Sequence, residues 1–207
     1  MAVLGKKEIK TRLQRSIKDP SSLVVTPILN PEESFDSDSL DLRLGCYFLF
    51  PKTPPEPFLH PGSPPSEHSN VRIHIPIGRH LIIPAYQTVL GATLEFIKLP
   101  FDVSGLILTK SSVARSFIVI ETAPWIHPNY RGCLTLEIAN VSNTPVLLFP
   151  GLPIGQLILM NVIEAEPADV LTSTYFGPIY PEPPAAKDLK AQFSKIGIGN
   201  PVIPKNI

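Results

Sequence analysis

A carboxylate interrupts an apolar stretch near the middle of the sequence. Residues 133–140 read C-L-T-L-E-I-A-N, and the fifth of them is Glu137. The two-residue period of a β-strand places Thr135 and Glu137 on one face, while the leucine and isoleucine side chains point to the other. The face that carries Glu137 either looks at water or lines a cleft, where a carboxyl group can act as a general acid and base. Periodicity alone leaves both interpretations open.

A second segment combines hydroxyl groups with positive charge. The sequence K-S-S-V-A-R at residues 110–115 follows the strand-like run G-L-I-L-T. Serine hydroxyls and the backbone N–H groups of a helix that starts here can bind an anion, with Lys110 and Arg115 on either side. The same residues also suit an ordinary N-capped helical turn without a ligand.

Two further segments place polar side chains in apolar strands. Residues 39–45 read S-L-D-L-R-L-G, and strand alternation puts Asp41 and Arg43 on one face and the leucines on the other. Residues 150–159 read P-G-L-P-I-G-Q-L-I-L, in which a turn leads into a buried strand that begins with Gln156. Taken alone, neither segment identifies a site.

The elements that would position these residues are mainly β-strands. Short runs rich in valine, isoleucine and leucine recur between proline, glycine and asparagine residues, a pattern typical of a sandwich, barrel or jelly roll. The 25 prolines lie mostly between the runs, where they end strands and stiffen turns. The predicted strands are residues 42–50, 71–75, 80–83, 88–97, 103–109, 117–121, 133–140, 145–149 and 154–163.

One helix, one loop and one arm complete the predicted architecture. Apolar residues recur every four positions within residues 6–17 and predict a short amphipathic helix. The proline-rich residues 51–66 predict an extended surface loop. From residue 172 the sequence is again rich in proline and glycine, so we expect a domain over residues 1–171 and a C-terminal arm over residues 172–207 that reaches a neighbouring subunit.

Composition favours a cytoplasmic protein without a polyanion-binding surface. Hydrophobic residues make up 43% of the 207 residues and charged residues only 17%, so we expect a sizeable core and some apolar surface buried between subunits. The 18 basic and 18 acidic side chains cancel, which argues against binding to nucleic acid or to a membrane surface.

Cys46 and Cys133 form no C-x-x-C pair and are expected to be free thiols. The first ten residues lack the apolar stretch of a signal peptide and no apolar run is long enough to span a bilayer, so we expect a cytoplasmic location.

In their order and spacing, these segments resemble the dCTP deaminase branch of the dUTPase superfamily. Its pattern is approximately S-x-D-x-R-L-G, R-S-S-x-A-R, T-A-x-x-I-D-P-G-[WY]-x-G-x-[IL]-x-L-E and P-G-x-x-I-G-Q-L, and the match covers about residues 35–163. The resemblance implies a mainly β fold, a distorted jelly roll or β-barrel of the dUTPase-like type, with a short N-terminal helix and a C-terminal arm. It also implies a homotrimer with three active sites at the subunit interfaces.

The resemblance assigns the chemistry to Glu137, which falls on the catalytic glutamate of the family. One carboxyl group in a semi-buried pocket can deprotonate the attacking water and later protonate the ring and the departing ammonia. Ser111 would position the water or the exocyclic amino group, and Arg115 would stabilise charge around the glutamate. Zinc deaminases carry H-x-E with P-C-x-x-C, and this sequence has neither motif, so we expect no zinc.

The resemblance also assigns contacts to the phosphates. Lys110, where the family usually has arginine, and Ser112 would contact the triphosphate, and Gln156 would hydrogen-bond a phosphate. Mg²⁺ would bridge the triphosphate oxygens. Asp41 would support this ion through water, or else support the subunit contact.

The base and the sugar would lie against the segment before Glu137. Thr122 and Ala123 would read the pyrimidine edge, and Tyr130 would stack under the sugar and leave no room for a 2′-hydroxyl. His127 stands where relatives carry an aspartate that orients the hydrolytic water in dUTPases, which argues against dUTP hydrolysis. The sequence A-P-W-I, which contains Trp125, instead resembles the A-G-W-I of bifunctional deaminase–dUTPases. The two signals conflict.

The C-terminal arm is expected to close the site over the phosphates. Relatives use tyrosine, lysine and glutamine side chains there, for which Tyr175, Lys190 and Gln192 are the candidate counterparts. The alternative for these three residues is that they are exposed polar side chains on an arm without contact to the nucleotide.

The favoured activity is deamination of dCTP to dUTP and ammonia. The nearest alternatives are a bifunctional enzyme that goes on to dUMP and pyrophosphate, or a dUTPase alone. A non-catalytic trimer that binds nucleotide is the alternative from another class. The intact glutamate, serine and arginine of the catalytic group favour an enzyme.

Overall fold

The computed structural model describes residues 2–52, 70–121, 123–163, 165 and 177–183. Its helices are α1 (Lys6–Leu13), α2 (Pro31–Ser34) and α3 (Ser111–Ala114). Its strands are β1 (Val24–Thr26), β2 (Ser39–Pro51), β3 (Asn70–His74), β4 (Leu81–Ile83), β5 (Thr88–Lys98), β6 (Val103–Thr109), β7 (Ile118–Ile120), β8 (Trp125–Ile126), β9 (Arg131–Asn140), β10 (Val146–Leu148) and β11 (Pro153–Asn161).

Antiparallel pairing joins most of these strands into one sheet. Its order is β7-β9-β5-β2-β11-β6-β8, with β1 added on β5 and β3 added on β2, and it curls into a half-barrel. Strands β4 and β10 pair separately. The predicted mainly β fold is confirmed, and each predicted strand segment contains a strand. Strands β1 and β8, of three and two residues, were not predicted.

Alternation along the strands builds the core. Leu40, Leu42 and Leu44 of β2 are 0–1% exposed, and Leu136 and Ile138 of β9 are fully buried. Burying one such side chain contributes roughly 1.5–3 kcal/mol, so these rows fix which face of each strand turns inward. The face of β9 that carries the glutamate is therefore turned away from the core.

The first helix is shorter than predicted. It ends at Leu13 instead of residue 17, and Ile17 is 70% exposed. Arg12 anchors the end of the helix, since its Nη1 and Nη2 atoms donate to the Asp102 carboxylate at 2.8 and 2.9 Å. Its backbone carbonyl accepts from the N–H of Leu23 at 3.3 Å, so the chain turns away from the helix axis before Ile17.

The predicted loop lies largely outside the described residues. Its first residue, Pro51, ends β2 opposite Asn70 rather than belonging to a loop. Residues 53–66 of the predicted loop are not among those the structure describes.

Part of the predicted arm lies along β9. The 177–183 segment runs beside the first half of this strand, where the N–H of Gly177 donates to the carbonyl of Arg131 at 2.8 Å. The N–H of Cys133 in turn donates to the carbonyl of Pro178 at 2.7 Å. The segment therefore pairs with β9 where β7 does not reach.

Candidate active site

Strand β9 carries Glu137 on the face opposite to the core. Its neighbours Leu136 and Ile138 are fully buried, whereas Glu137 is partly buried. Burial raises the pKa of the Glu137 carboxyl, and the charge of Glu121 raises it further. Among the described residues, none donates a hydrogen bond or forms an ion pair with this carboxylate. A partly desolvated carboxyl without a structural partner is suited to exchange a proton with a ligand.

Glu121 is a residue that the sequence analysis missed. Strands β7 and β9 pair with Ile120 opposite Ile138, so the next pair along the ladder is Glu121 opposite Glu137. The backbone N–H of Glu121 donates to the carbonyl of Glu137 at 2.8 Å. Both apolar runs are visible in the sequence, but their register is not, and register alone makes these two carboxylates neighbours.

The turn after β6 presents the predicted hydroxyl groups. Ser111, Ser112 and Arg115 lie on or directly after α3, and all three are exposed. The backbone N–H of Lys110 donates to the carbonyl of Ile154 on β11 at 2.9 Å and fixes the start of this turn. Both serines and the arginine can therefore reach a ligand outside the chain.

Three of the predicted phosphate-binding residues meet at one end of the sheet. The Nζ atom of Lys110 donates to the Oδ2 atom of Asp41, and the two side chains are 28% and 12% exposed. Gln156 on β11 lies directly opposite Asp41 on β2 and Leu108 on β6. Asp41 thus orients the Lys110 ammonium beside Gln156, although 69 residues separate the ion pair in sequence.

The segment between β7 and β9 is open to solvent at most of the predicted positions. Ala123 and His127 are exposed, and Trp125 is 39% exposed on β8 rather than in the core. Tyr130 is partly buried, and its hydroxyl donates to the carbonyl of Cys133 at 2.8 Å. Burial raises the pKa of the Tyr130 phenol, which therefore stays protonated and keeps this bond.

The described residues of one chain do not connect Glu137 directly to the other predicted catalytic residues. No hydrogen bond or ion pair among the described residues joins Glu137 to Ser111, Arg115 or Lys110. The predicted residues that lie outside the described part of the chain are Thr122, Tyr175, Lys190 and Gln192.

The described residues contain no cluster of three histidine, cysteine, aspartate or glutamate side chains that could hold a metal ion. Both cysteines are free thiols. In the described ranges, no helix combines the length and the apolar character needed to cross a membrane.

Comparison with known proteins identifies relatives over most of the chain. A relative from Dictyoglomus thermophilum named "dCTP deaminase, dUMP-forming" is 32% identical over 156 residues, which cover 75% of this chain and 78% of the relative. A "dCTP deaminase" from Halorubrum lacusprofundi is 36% identical over 142 residues, covering 68% of this chain and 70% of the relative.

A solved structure has a similar fold. The crystal structure of 2′-deoxycytidine 5′-triphosphate deaminase from Agrobacterium tumefaciens superposes with a TM-score of 0.56 at 19% identity. The match covers 76% of this chain and 47% of that chain. Residues 3–162 match the profile of the family described as dCTP deaminase-like, and the chain belongs to this family.

Proposed function

We propose that this protein catalyses the hydrolytic deamination of dCTP to dUTP and ammonia, with Glu137 as the general acid and base. The Glu137 carboxyl carries the proposal, because it is partly buried on β9 without a partner among the described residues and burial raises its pKa. The names of the relatives support dCTP as the substrate.

The reaction adds water to C4 of cytosine and removes the amino group. Glu137 accepts a proton from the water as its oxygen bonds to C4, and the same carboxyl passes that proton to the ring nitrogen N3. A second transfer moves the remaining hydroxyl proton to the amino nitrogen. The C4–N bond then breaks, ammonia leaves, and C4 becomes the carbonyl of uracil. A raised pKa favours the protonated carboxyl, which holds the proton after it leaves the water and before it reaches N3.

We place this site between the subunits of a homotrimer. Ser111 and Arg115 of one protomer would face Glu137 of its partner, which agrees with the absence of a direct bond between these residues among the described parts of one chain. Exposed apolar side chains on β4 and β10 support a buried subunit contact, since Ile82 and Leu147 lie opposite each other and are 49% and 51% exposed.

The triphosphate would bind at the end of the sheet that holds Lys110. Its ammonium donates to Asp41, which lies opposite Gln156 in the pairing of β2 with β11. We expect any magnesium ion to arrive with the nucleotide, and the Asp41 carboxylate beside Lys110 would then contact it through water. A bound ion would neutralise phosphate charge.

Subsequent hydrolysis of dUTP to dUMP and pyrophosphate is the second candidate function. The name "dUMP-forming" of the relatives from Dictyoglomus thermophilum and Corynebacterium diphtheriae favours it, as does Trp125 in A-P-W-I. His127 lacks the carboxylate that the resemblance leads one to expect for the hydrolytic water.

Product analysis tests both functions. The purified protein is incubated with dCTP and Mg²⁺, and the nucleotides are separated by anion exchange. Accumulation of dUTP identifies a deaminase alone, and direct appearance of dUMP with pyrophosphate identifies the bifunctional enzyme. Recovery of unchanged dCTP would contradict both.

A further inference from the structure

Two carboxylates face each other at the end of the β7–β9 ladder. The register places Glu121 opposite Glu137, and the backbone bond between them is 2.8 Å long. Directly opposite residues of antiparallel strands point to the same face, with Cβ atoms about 4.5–5.5 Å apart. Because Ile120 and Ile138 both turn into the core, Glu121 and Glu137 both turn away from it.

We propose that Glu121 is a positioning residue that acts through Glu137, as the second carboxylate of a facing pair whose like charge favours the protonated form of Glu137. The inference rests on the proposed function of Glu137. A like charge at this separation disfavours the ionised form of a carboxyl group, and burial disfavours it further. Glu121 is exposed and Glu137 is partly buried, so Glu137 is the member that keeps the proton.

Among the described residues, Glu121 is the charged group that raises the pKa of Glu137. The other neighbours that share its face on the adjoining strand and on its own strand are uncharged. They are Leu90, Thr88 and Ala92 on β5 and Thr135 and Ala139 on β9.

Two further charged groups lie on elements close to this face. Glu182 of the 177–183 segment donates its backbone N–H to the Thr135 hydroxyl at 3.1 Å, and its carboxylate is exposed. Arg115, at the end of the helix that packs on β7, is exposed and forms no ion pair with Glu137 among the described residues. Glu182 therefore offers a matched control, being a second carboxylate near β9.

The facing carboxylates predict the direction in which the pH profile of kcat/KM shifts when the charge of Glu121 is removed. The like charge of Glu121 raises the pKa of Glu137, so Glu137 becomes an effective base only at higher pH than it would alone. Removal of that charge lowers the pKa of Glu137. The acidic limb of the kcat/KM profile, which reports the ionisation of the free enzyme, then moves to lower pH.

The test compares three variants of the full chain. Glu121→Gln keeps the shape and the backbone ladder but removes the charge, Glu121→Asp keeps the charge, and Glu182→Gln removes an exposed charge near β9 that does not lie opposite Glu137. Two readouts are used: the pH profile of kcat/KM for dCTP, and the titration of the Glu137 side-chain carboxyl followed by its ¹³C resonance. We expect both to move to lower pH in Glu121→Gln and to stay near the wild-type position in the other two variants.

The outcomes separate this inference from the proposed function. Titrations of Glu121→Gln and wild type that superimpose would overturn the inference, even if Glu137→Gln abolished turnover. If the wild-type protein did not turn over dCTP, the proposed function would fail, and the carboxyl titration would still decide whether the two glutamates are coupled. Glu121→Lys gives a second test, because a positive charge opposite Glu137 should move the titration further in the same direction.

Discussion

The guanidinium of Arg43 and the carboxylate of Glu95 form an ion pair inside the protein, with Nη1 3.2 Å from Oε1. The Oε2 atom of Glu95 also accepts from the backbone N–H of Arg43 at 2.8 Å, and Arg43 Nη2 donates to the hydroxyl of Ser34 at 3.0 Å. The two side chains are 8% and 1% exposed. Glu95 lies between Ala92 and Phe96, where the register of β5 shifts against β9, so the pair stabilises the irregular part of the strand beside the one that carries the site.

Breaking this pair should destabilise the protein strongly. Glu95→Ala leaves the Arg43 guanidinium buried without its carboxylate, and the loss of one partner of a buried pair costs about 3–5 kcal/mol. The free energy of unfolding from urea denaturation measures the effect. A double variant, Arg43→Met with Glu95→Leu, leaves no buried charge and should lose less than the single variant. A single variant as stable as wild type would refute this role.

Asp41 should matter for substrate affinity more than for turnover. Asp41→Asn removes the charge-assisted bond that orients Lys110, so we expect KM for dCTP to rise by about tenfold, equivalent to roughly 1.4 kcal/mol, while kcat changes little. Steady-state kinetics measure both constants. Asp38→Asn is the matched control, since Asp38 is an exposed carboxylate just before the same strand. Equal KM values in the two variants would contradict the assignment.

Gly132 should be required for the 177–183 segment to lie on β9. Its φ angle is +143°, and a Cβ atom there would lie 2.5 Å from Cδ of Pro178. Gly132→Ala should therefore displace the segment and reduce the hydrogen-exchange protection of the Cys133 amide, which donates to Pro178.

Gly151 provides the control for this change. Its φ angle is +89°, but a Cβ atom there meets nothing within 4 Å. Gly151→Ala should lower the free energy of unfolding by about 1–3 kcal/mol through backbone strain alone and leave the Cys133 amide protected. Protection that stays unchanged in Gly132→Ala would argue against the predicted displacement.

Two variants of Tyr130 should distinguish the role of its ring from the role of its hydroxyl group. Tyr130→Phe loses the bond to the Cys133 carbonyl and should lower the free energy of unfolding by about 1 kcal/mol, with KM for dCTP unchanged. Tyr130→Ala also removes the ring and should raise KM if the ring supports the sugar. Thermal unfolding and steady-state kinetics measure the two effects. A raised KM in Tyr130→Phe would show that the hydroxyl itself touches the nucleotide.

The strand framework and the face of Glu137 could be predicted because both follow from local alternation. The leucines of β2 and the leucine and isoleucine side chains of β9 are buried as the two-residue period requires. The same pattern placed Glu137 on the opposite face, where it is partly buried.

Contacts between distant segments could not be predicted in the same way. Lys110 and Asp41 are joined by the pairing of β11 with both β2 and β6, and Glu121 faces Glu137 only through the β7–β9 register. The end of α1 likewise depends on the tertiary contact of Arg12 with Asp102, which helical periodicity does not encode.

The most direct test of the central claim is the release of ammonia from dCTP by Glu137→Gln, measured together with dCTP binding by calorimetry. Glutamine keeps the shape of the side chain but cannot exchange the proton, so we predict that ammonia release falls by about 10²–10⁴-fold while dCTP still binds. Ammonia release at the wild-type rate in this variant would contradict the account.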